Sequence, residues 1–524
     1  MTAHILGYPR IGRKRELKIA LESYWQGKTS QQELENTGAQ IRNENWQAQK
    51  DAGLDYVTVG DFAWYDHVLN TSLLVGHVPE RHRHDGESFN LDTLFRVARG
   101  KAPTGCACAA ADMTKWFNTN YHYIVPEFES GDTFALSWTQ LFEEIEEAQR
   151  AGFKAKPVLL GPVSYLYLGK EKESGFDRLT LLEKLLPVYQ EVFERLGALN
   201  VDWLQIDEPI LGLDVESKWQ SALVSCYQTL QSPVKLLLTS YFESIEDKLA
   251  LLPDLNVQGL HVDLQAAPEQ LKAVVDALPE GWVLSAGVIN GRNVWRADLV
   301  KWLRALSDAK NKLGKRLWIA TSCSLLHSPL DLTSEDQLDA ETYGWFAFAR
   351  QKLDEAVLLD RAVNGEPGAA EEAAAYSASI ASRQHNERVH NPEVTTRLTT
   401  VCDALGERTH GYPERAVAQR KSLNLPQFPT TTIGSFPQTL EIRQQRRDFK
   451  GGRLSSDTYH SAMKGIFKML SVARRLSVWM CWFTARLNVT TWLNTLPSTW
   501  KDLFQPGLVG YKVMDHAVLS LRWW

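Results

Sequence analysis

From residue 1 to about residue 330, short apolar runs alternate with longer stretches in which apolar positions recur at helical spacing. The runs are HILGYPRIG from His4, LDYVTVGDF from Leu54, KPVLLGPVS from Lys156 and WLQIDEP from Trp203. VKLLLTSYF from Val234, GLHVDL from Gly259, WVLSAGVING from Trp282 and LWIATSCSLLHS from Leu317 follow. Each has the length of a strand, and a strand covered on both faces reads as a continuous apolar run rather than an alternating one. The stretch FDRLTLLEKLLPVYQEVFERLGAL, from Phe176, predicts an amphipathic helix between two of them. Eight strands alternating with helices predict an α/β fold, a (β/α)8 TIM barrel, over residues 1–335.

Polar residues gather at the C-terminal ends of these runs: Asp61, Asp207 with Glu208, Tyr241, His261 with Asp263, Asn290, and Ser322 to Ser324. That is the barrel face on which sites are built. Loop starts are also where helix N-caps favour Asp, Ser and Asn, so each residue has a structural reading beside the functional one. Asp207-Glu208-Pro209 stands out, because two acids directly after an apolar strand are costly to place. Their carboxylates can serve either chemistry or structure.

Residues 336–427 differ in character. NGEPGAAEEAAAYSASIASRQHNERVHNPEV is rich in Ala, Glu and Ser and predicts helices joined by polar loops, a connector without its own core. After it, Ile433-Gly-Ser-Phe-Pro-Gln-Thr echoes Ile5-Leu-Gly-Tyr-Pro-Arg-Ile near the start of the chain. A repeat at this place predicts a duplicated fold whose second copy, the start of a second barrel, occupies residues 428–463.

Composition narrows the class. With 524 residues, 44% hydrophobic and 23% charged, the chain has the balance of a soluble protein of two domains. A formal net charge of −6 argues against nucleic acid or an anionic membrane as partner. No apolar stretch has the length of a membrane span and no leader pattern opens the chain, so a cytoplasmic location is expected. Six cysteines do not suggest a disulfide framework, and the one close pair, Cys106 and Cys108, lacks neighbouring partners for a metal and reads as ordinary thiols.

Several longer segments together are specific: LGYPRIGRKRELK, VGDFAWYDHVL, MTKWFNTNYHY, LLGPVSYLYLGK, QIDEP, LSAGVINGRNVWRADL, SCSLLHSP and TTTIGSFPQT. Over residues 1 to about 460 the chain resembles the cobalamin-independent methionine synthases. The resemblance implies two face-to-face (β/α)8 barrels that move a methyl group from 5-methyltetrahydrofolate polyglutamate to homocysteine. Carried over position by position, it implies folate contacts at Lys14, Arg15, Glu16, Leu17 and Lys115, and homocysteine contacts at Ile433, Gly434 and Ser435. Fixed cations suit a row of glutamate carboxylates. It further implies a zinc ion that holds the homocysteine sulfur as thiolate. The family's zinc ligands and proton-donating His fall beyond the point where the resemblance stops. Neither catalytic nor metal residues are therefore expected in this chain, and a monomer is expected.

The last 60 residues hold six of the 18 Trp, and no Glu follows Glu441. The genetic code offers a check on this stretch. Trp479-Met480-Cys481-Trp482-Phe483 can be encoded only as TGG ATG TGY TGG TTY. Read from the last base of the Val478 codon, that string gives Leu, Val or Met, then Asp-Val-Leu-Val. The codons of Thr484 to Leu496 permit His-Gly-Glu-Ala-Glu-Arg-Asn-Asp-Met-Val-Glu-Tyr-Phe, and the resemblance implies such a segment here, with a Glu that contacts homocysteine. Residues 464–524 are thus expected to be out of frame and poorly ordered. The expected protein is a methyltransferase by ancestry that is inactive alone. The alternatives are a non-catalytic folate-polyglutamate-binding remnant or pseudogene product, and an unrelated barrel enzyme acting through Asp207 and Glu208.

Overall fold

The computed structural model describes residues 2–83, 89–105, 107–424, 426–429 and 439–476. All eight apolar runs form strands: β1 (Ala3–His4), β2 (Val57–Val59), β3 (Ala155–Leu160), β4 (Trp203–Asp207), β5 (Lys235–Thr239), β6 (Gly259–Asp263), β7 (Val283–Ile289) and β8 (Leu317–Thr321). They lie in one parallel sheet in the order β1-β8-β7-β6-β5-β4-β3-β2, so the last strand pairs with the first. Ala3 registers with Ile319, and Trp203 with Lys235.

The seam between β1 and β2 closes largely through carboxylates. The Asp55 amide donates to Ala3 O at 3.2 Å, and the Ala3 amide donates to Asp55 Oδ2 at 3.0 Å. At the other end of the seam, Asp61 Oδ2 accepts from the Tyr8 amide at 2.7 Å and from the Thr58 hydroxyl at 2.8 Å. With two and three residues in these strands, side-chain acceptors replace ladder bonds and satisfy amides that would otherwise be orphaned.

The helices surround the strands: α1 (Glu16–Trp25), α2 (Gln31–Ala52), α3 (His67–Leu74), α4 (Leu91–Arg99), α5 (Gln140–Arg150), α6 (Pro162–Leu168), α7 (Leu182–Ala198) and α8 (Ser217–Thr229). The start of α2 shows why such a helix begins where it does. Ser30 and Glu33 form a reciprocal capping box, and Gly53 ends the helix at φ 92°, a conformation that a side chain would strain. The predicted helix from Phe176 is α7, with Leu185, Tyr189, Val192, Phe193 and Leu196 buried.

The barrel interior is layered by the period of two along each strand. Tyr56, Trp203, Leu237, Val283 and Trp318 form an apolar plug where the strands begin. The next inward positions are polar and fully buried: His4, Lys156, Gln205, His261 and Ser285. Ser285 Oγ lies 2.8 Å from both His4 Nε2 and His261 Nδ1. Gln205 accepts from Lys156 Nζ and donates to Leu6 O at 3.1 Å. Desolvation holds His4 well below its ordinary range and pushes His261 down to about 3, so both rings stay neutral at physiological pH.

One compact unit runs through Arg383, beyond the boundary at residue 335 expected from sequence, and a second begins at Gln384. The physical reason lies in the helix Ala349–Val363. Ala349 and Leu353 pack with Ile5 and Leu325, and Glu355 Oε1 accepts from the Ala297 amide and the Tyr376 hydroxyl, each at 2.8 Å. In the second unit the described residues form helices, among them Leu440–Lys450 and Ser456–Leu476. Leu405, Val417 and Leu440 are exposed there. Among the described residues no helix is long and apolar enough to cross a membrane.

Candidate binding site at the mouth of the barrel

Above the polar layer, the strand ends and the long excursion between β2 and β3 enclose a partly open cleft of about 90 Å³. Asp61, Asp207, Tyr241 and Cys323 come from strand ends, Arg10 from the loop after β1, and His67 and Asn70 from α3. Trp116 comes from the hairpin of Met113–Lys115 and His122–Ile124, and Gln140 and Glu144 from α5.

The predicted acid pair divides. Neighbouring residues at a strand end face opposite ways. Asp207 turns inward, accepting from Gln205 Nε2 at 2.9 Å and from the Tyr241 hydroxyl at 3.1 Å. Burial pushes its carboxyl up to about 6. Glu208 turns outward and caps α6: it accepts from the Val163 amide at 3.2 Å, the Ser164 amide at 2.7 Å and the Tyr227 hydroxyl at 3.0 Å. Burial raises it to about 7 against these three donors. A side chain at Gly161 would collide with the Glu208 carboxyl, so the glycine makes room for the cap. Two carboxylates on opposite sides of the sheet do not form an acid–base pair, which removes the basis of an enzyme working through both.

Other strand-end residues are structural. Asp263 accepts from the Gln265, Ala266 and Phe242 amides, and Asn290 from the Arg292 and Asn293 amides. Ser322 Oγ accepts from the Gly291 amide, and Ser324 Oγ from the Leu326 amide. Lys156 lies beneath Asp207, where desolvation lowers its ammonium to about 7.

Of the residues implied as folate contacts, Lys14 and Lys115 are exposed. Lys115 directly precedes Trp116 of the cleft wall and registers with His122 across its hairpin. Lys14 belongs to the loop that begins at Arg10, whose guanidinium donates to the Tyr121 hydroxyl and to Tyr65 O. Arg15 adopts φ 69° as the N-cap of α1, and Glu16 accepts from the Lys14 amide at 2.8 Å. Leu17 is buried with Leu21, Tyr24 and Leu34, so its side chain belongs to the core. Ile433, Gly434 and Ser435, the expected homocysteine contacts, lie outside the described residues, as does Cys106. Of the expected out-of-frame stretch 464–524, residues 464–476 belong to the helix Ser456–Leu476 and the rest lies outside the described residues.

Residues that sequence reading did not single out build much of the cleft: Arg10, His67, Asn70, Trp116, Gln140 and Glu144. Arg10, His67 and Trp116 sit inside the distinctive segments GYPRIG, DFAWYDHVL and MTKWFN, which was their only signal.

The geometry is that of a (β/α)8 protein with its polar site at the strand C-termini. The chain belongs to the cobalamin-independent synthase family: residues 2–314 match its N-terminal domain and residues 428–481 its catalytic domain. The second match runs past residue 463. The 5-methyltetrahydropteroyltriglutamate–homocysteine methyltransferase of Photobacterium profundum is 60% identical over 464 residues, 88% of this chain and 60% of the relative. The protein of the same name from Vibrio parahaemolyticus is 58% identical over 467 residues, 88% of this chain and 61% of the relative. The chain thus spans about three-fifths of the length of the curated relatives it matches. A B12-independent methionine synthase structure from Shewanella sp. W3-18-1 is 14% identical at a TM-score of 0.43, covering 65% of this chain and 91% of that one.

Proposed function

We propose that this chain carries the folate-polyglutamate-binding barrel of a methyltransferase that moves a methyl group from 5-methyltetrahydrofolate polyglutamate to homocysteine, giving methionine. The observation that carries this reading is the 60% identity over 464 residues to a methyltransferase whose name states that substrate pair. The positions of Lys14 and Lys115 support it. Both are exposed, one on the loop from Arg10 and the other next to Trp116, so both stand by chain connectivity at the rim of the cleft. A glutamate chain lying there would meet ammonium groups without the cost of burying them. Ile433, Gly434 and Ser435 are proposed to contact homocysteine, with Gly434 letting the backbone approach the ligand.

Zinc, where the family holds it, favours the thiolate of homocysteine. The described residues of this chain do not fit it. No group of three His, Cys, Asp or Glu among them could hold a metal. One thiol–imidazole approach among them, Cys108 Sγ to His82 Nδ1 at 3.0 Å, offers only two donors. The codon reading of residues 479–496 is what supports a chain that binds the folate tail without turning substrate over.

Incubating the full chain with zinc, homocysteine and 5-methyltetrahydropteroyltriglutamate tests the reading. Retained triglutamate with no methionine formed is expected. Sustained methionine formation would overturn the non-catalytic assignment, and absence of triglutamate binding would overturn the folate assignment.

A further inference from the structure

One wall of the cleft is lined with hydrogen-bond acceptors that the protein leaves unused. Glu144 is 2% exposed, and its Oε2 has no hydrogen-bond partner. Its Oε1 is engaged, accepting from Gln140 Nε2 at 2.6 Å with Arg42 at 3.6 Å. Gln140 Oε1 and Asn70 Oδ1 are also buried without a partner. The amide orientations follow from their partners: Gln140 Nε2 donates to the Glu144 carboxylate and Asn70 Nδ2 to Phe62 O at 3.1 Å. Three unpaired acceptors on one wall are costly unless a ligand or water satisfies them.

The rest of the cleft indicates the kind of ligand. Trp116 and Phe242 provide flat apolar surface, and Asp61 and Asp207 add carboxyl groups. Arg10 is the cation on the lining, and its guanidinium already donates to Tyr65 O and Tyr121. Such a surface disfavours carboxylates and suits N–H donors on a flat ring. We propose that this cleft binds a small planar ligand bearing amino or amidinium groups, held by Glu144, Gln140 and Asn70 against Trp116 and Phe242. It is a site separate in chemistry from the polyglutamate contacts at Lys14 and Lys115.

The probe is 2,4-diaminopyrimidine, titrated calorimetrically into the full chain, with unsubstituted pyrimidine as the ring lacking donors. The diamino compound is expected to bind at least ~10-fold tighter than pyrimidine, the usual worth of one charge-assisted hydrogen bond. Glu144→Gln should weaken it ~10-fold or more, and Asn70→Ala several-fold, with circular dichroism unchanged. Equal affinity for the two rings, no saturable binding up to about 10 mM, or full affinity in folded Glu144→Gln would each overturn the proposal. Should Glu144→Gln fail to fold, Asn70→Ala and the comparison of the two rings decide it by the same criteria.

Discussion

Removing the Glu208 carboxyl should destabilise the first barrel far more than altering its neighbour Asp207. Glu208 is fully buried and gives three donors their acceptor: two amides at the start of α6 and the Tyr227 hydroxyl on α8. Glu208→Ala strands all three. A buried donor left without a partner costs about 1–3 kcal/mol, and water entering the vacated space recovers part of it, so the net loss should be about 3–5 kcal/mol. Glu208→Gln keeps one carbonyl oxygen but turns an NH2 group toward an amide that needs an acceptor, for about 1–3 kcal/mol. Asp207→Asn retains an acceptor for Tyr241 or Gln205, and its carboxyl already titrates near 6, so the change should fall within about 1 kcal/mol. Urea unfolding followed by tryptophan fluorescence measures all three, because Trp203 and Trp318 lie in the barrel plug. A Glu208→Ala protein as stable as the parent, or an Asp207→Asn protein as unstable as Glu208→Ala, would refute the assignment of Glu208 to a cap and Asp207 to the cleft.

Burial raises the Glu144 carboxyl to about 7, so between pH 4.5 and 7 the folded state holds a proton there that the unfolded chain has released, and above 7 the carboxylate is free to accept. Stability should therefore fall as pH rises from 4.5 to 7, and Glu144→Gln should remove up to about 3 kcal/mol of that fall in paired unfolding curves. Trp318→Ala opens a hole in the plug beside His4, Tyr56 and Trp203 and should cost about 3–5 kcal/mol by the same unfolding measurement. Asp61→Ala removes the acceptor of the Tyr8 amide, so hydrogen exchange at Tyr8 should quicken while exchange in β7 stays slow.

The strands were legible in the sequence because a barrel strand is covered on both faces and so is apolar at most of its positions. All seven residues of Val283–Ile289 are buried, and the run reads as apolar but for Ser285. The polar layer inside was not legible. His4, Lys156 and Gln205 sit within such runs, and only closure of the sheet brings them face to face. Asp207 and Glu208 drew notice as a pair, yet one step along a strand separates a cleft residue from a helix cap. The far wall of the cleft escaped because Asn70, Gln140 and Glu144 lie on helices whose polar faces look like solvent faces until the fold covers them. The helix Ala349–Val363 read as connector for a similar reason: Lys352 and Glu355 have charged side chains yet are fully buried, Lys352 donating to Trp295 O and Glu355 Oε1 accepting from the Ala297 amide and the Tyr376 hydroxyl.

The central claim, that this barrel holds a folate polyglutamate by its exposed lysines, is tested most directly by calorimetric titration of the full chain. The titrants are 5-methyltetrahydropteroyltriglutamate and the monoglutamate, each at low and at high salt. The account predicts tighter binding of the triglutamate, with a preference that shrinks as salt screens the lysines and that falls in Lys14→Ala and Lys115→Ala. Equal affinity for the two folates, or a triglutamate preference indifferent to salt and to both substitutions, would contradict it.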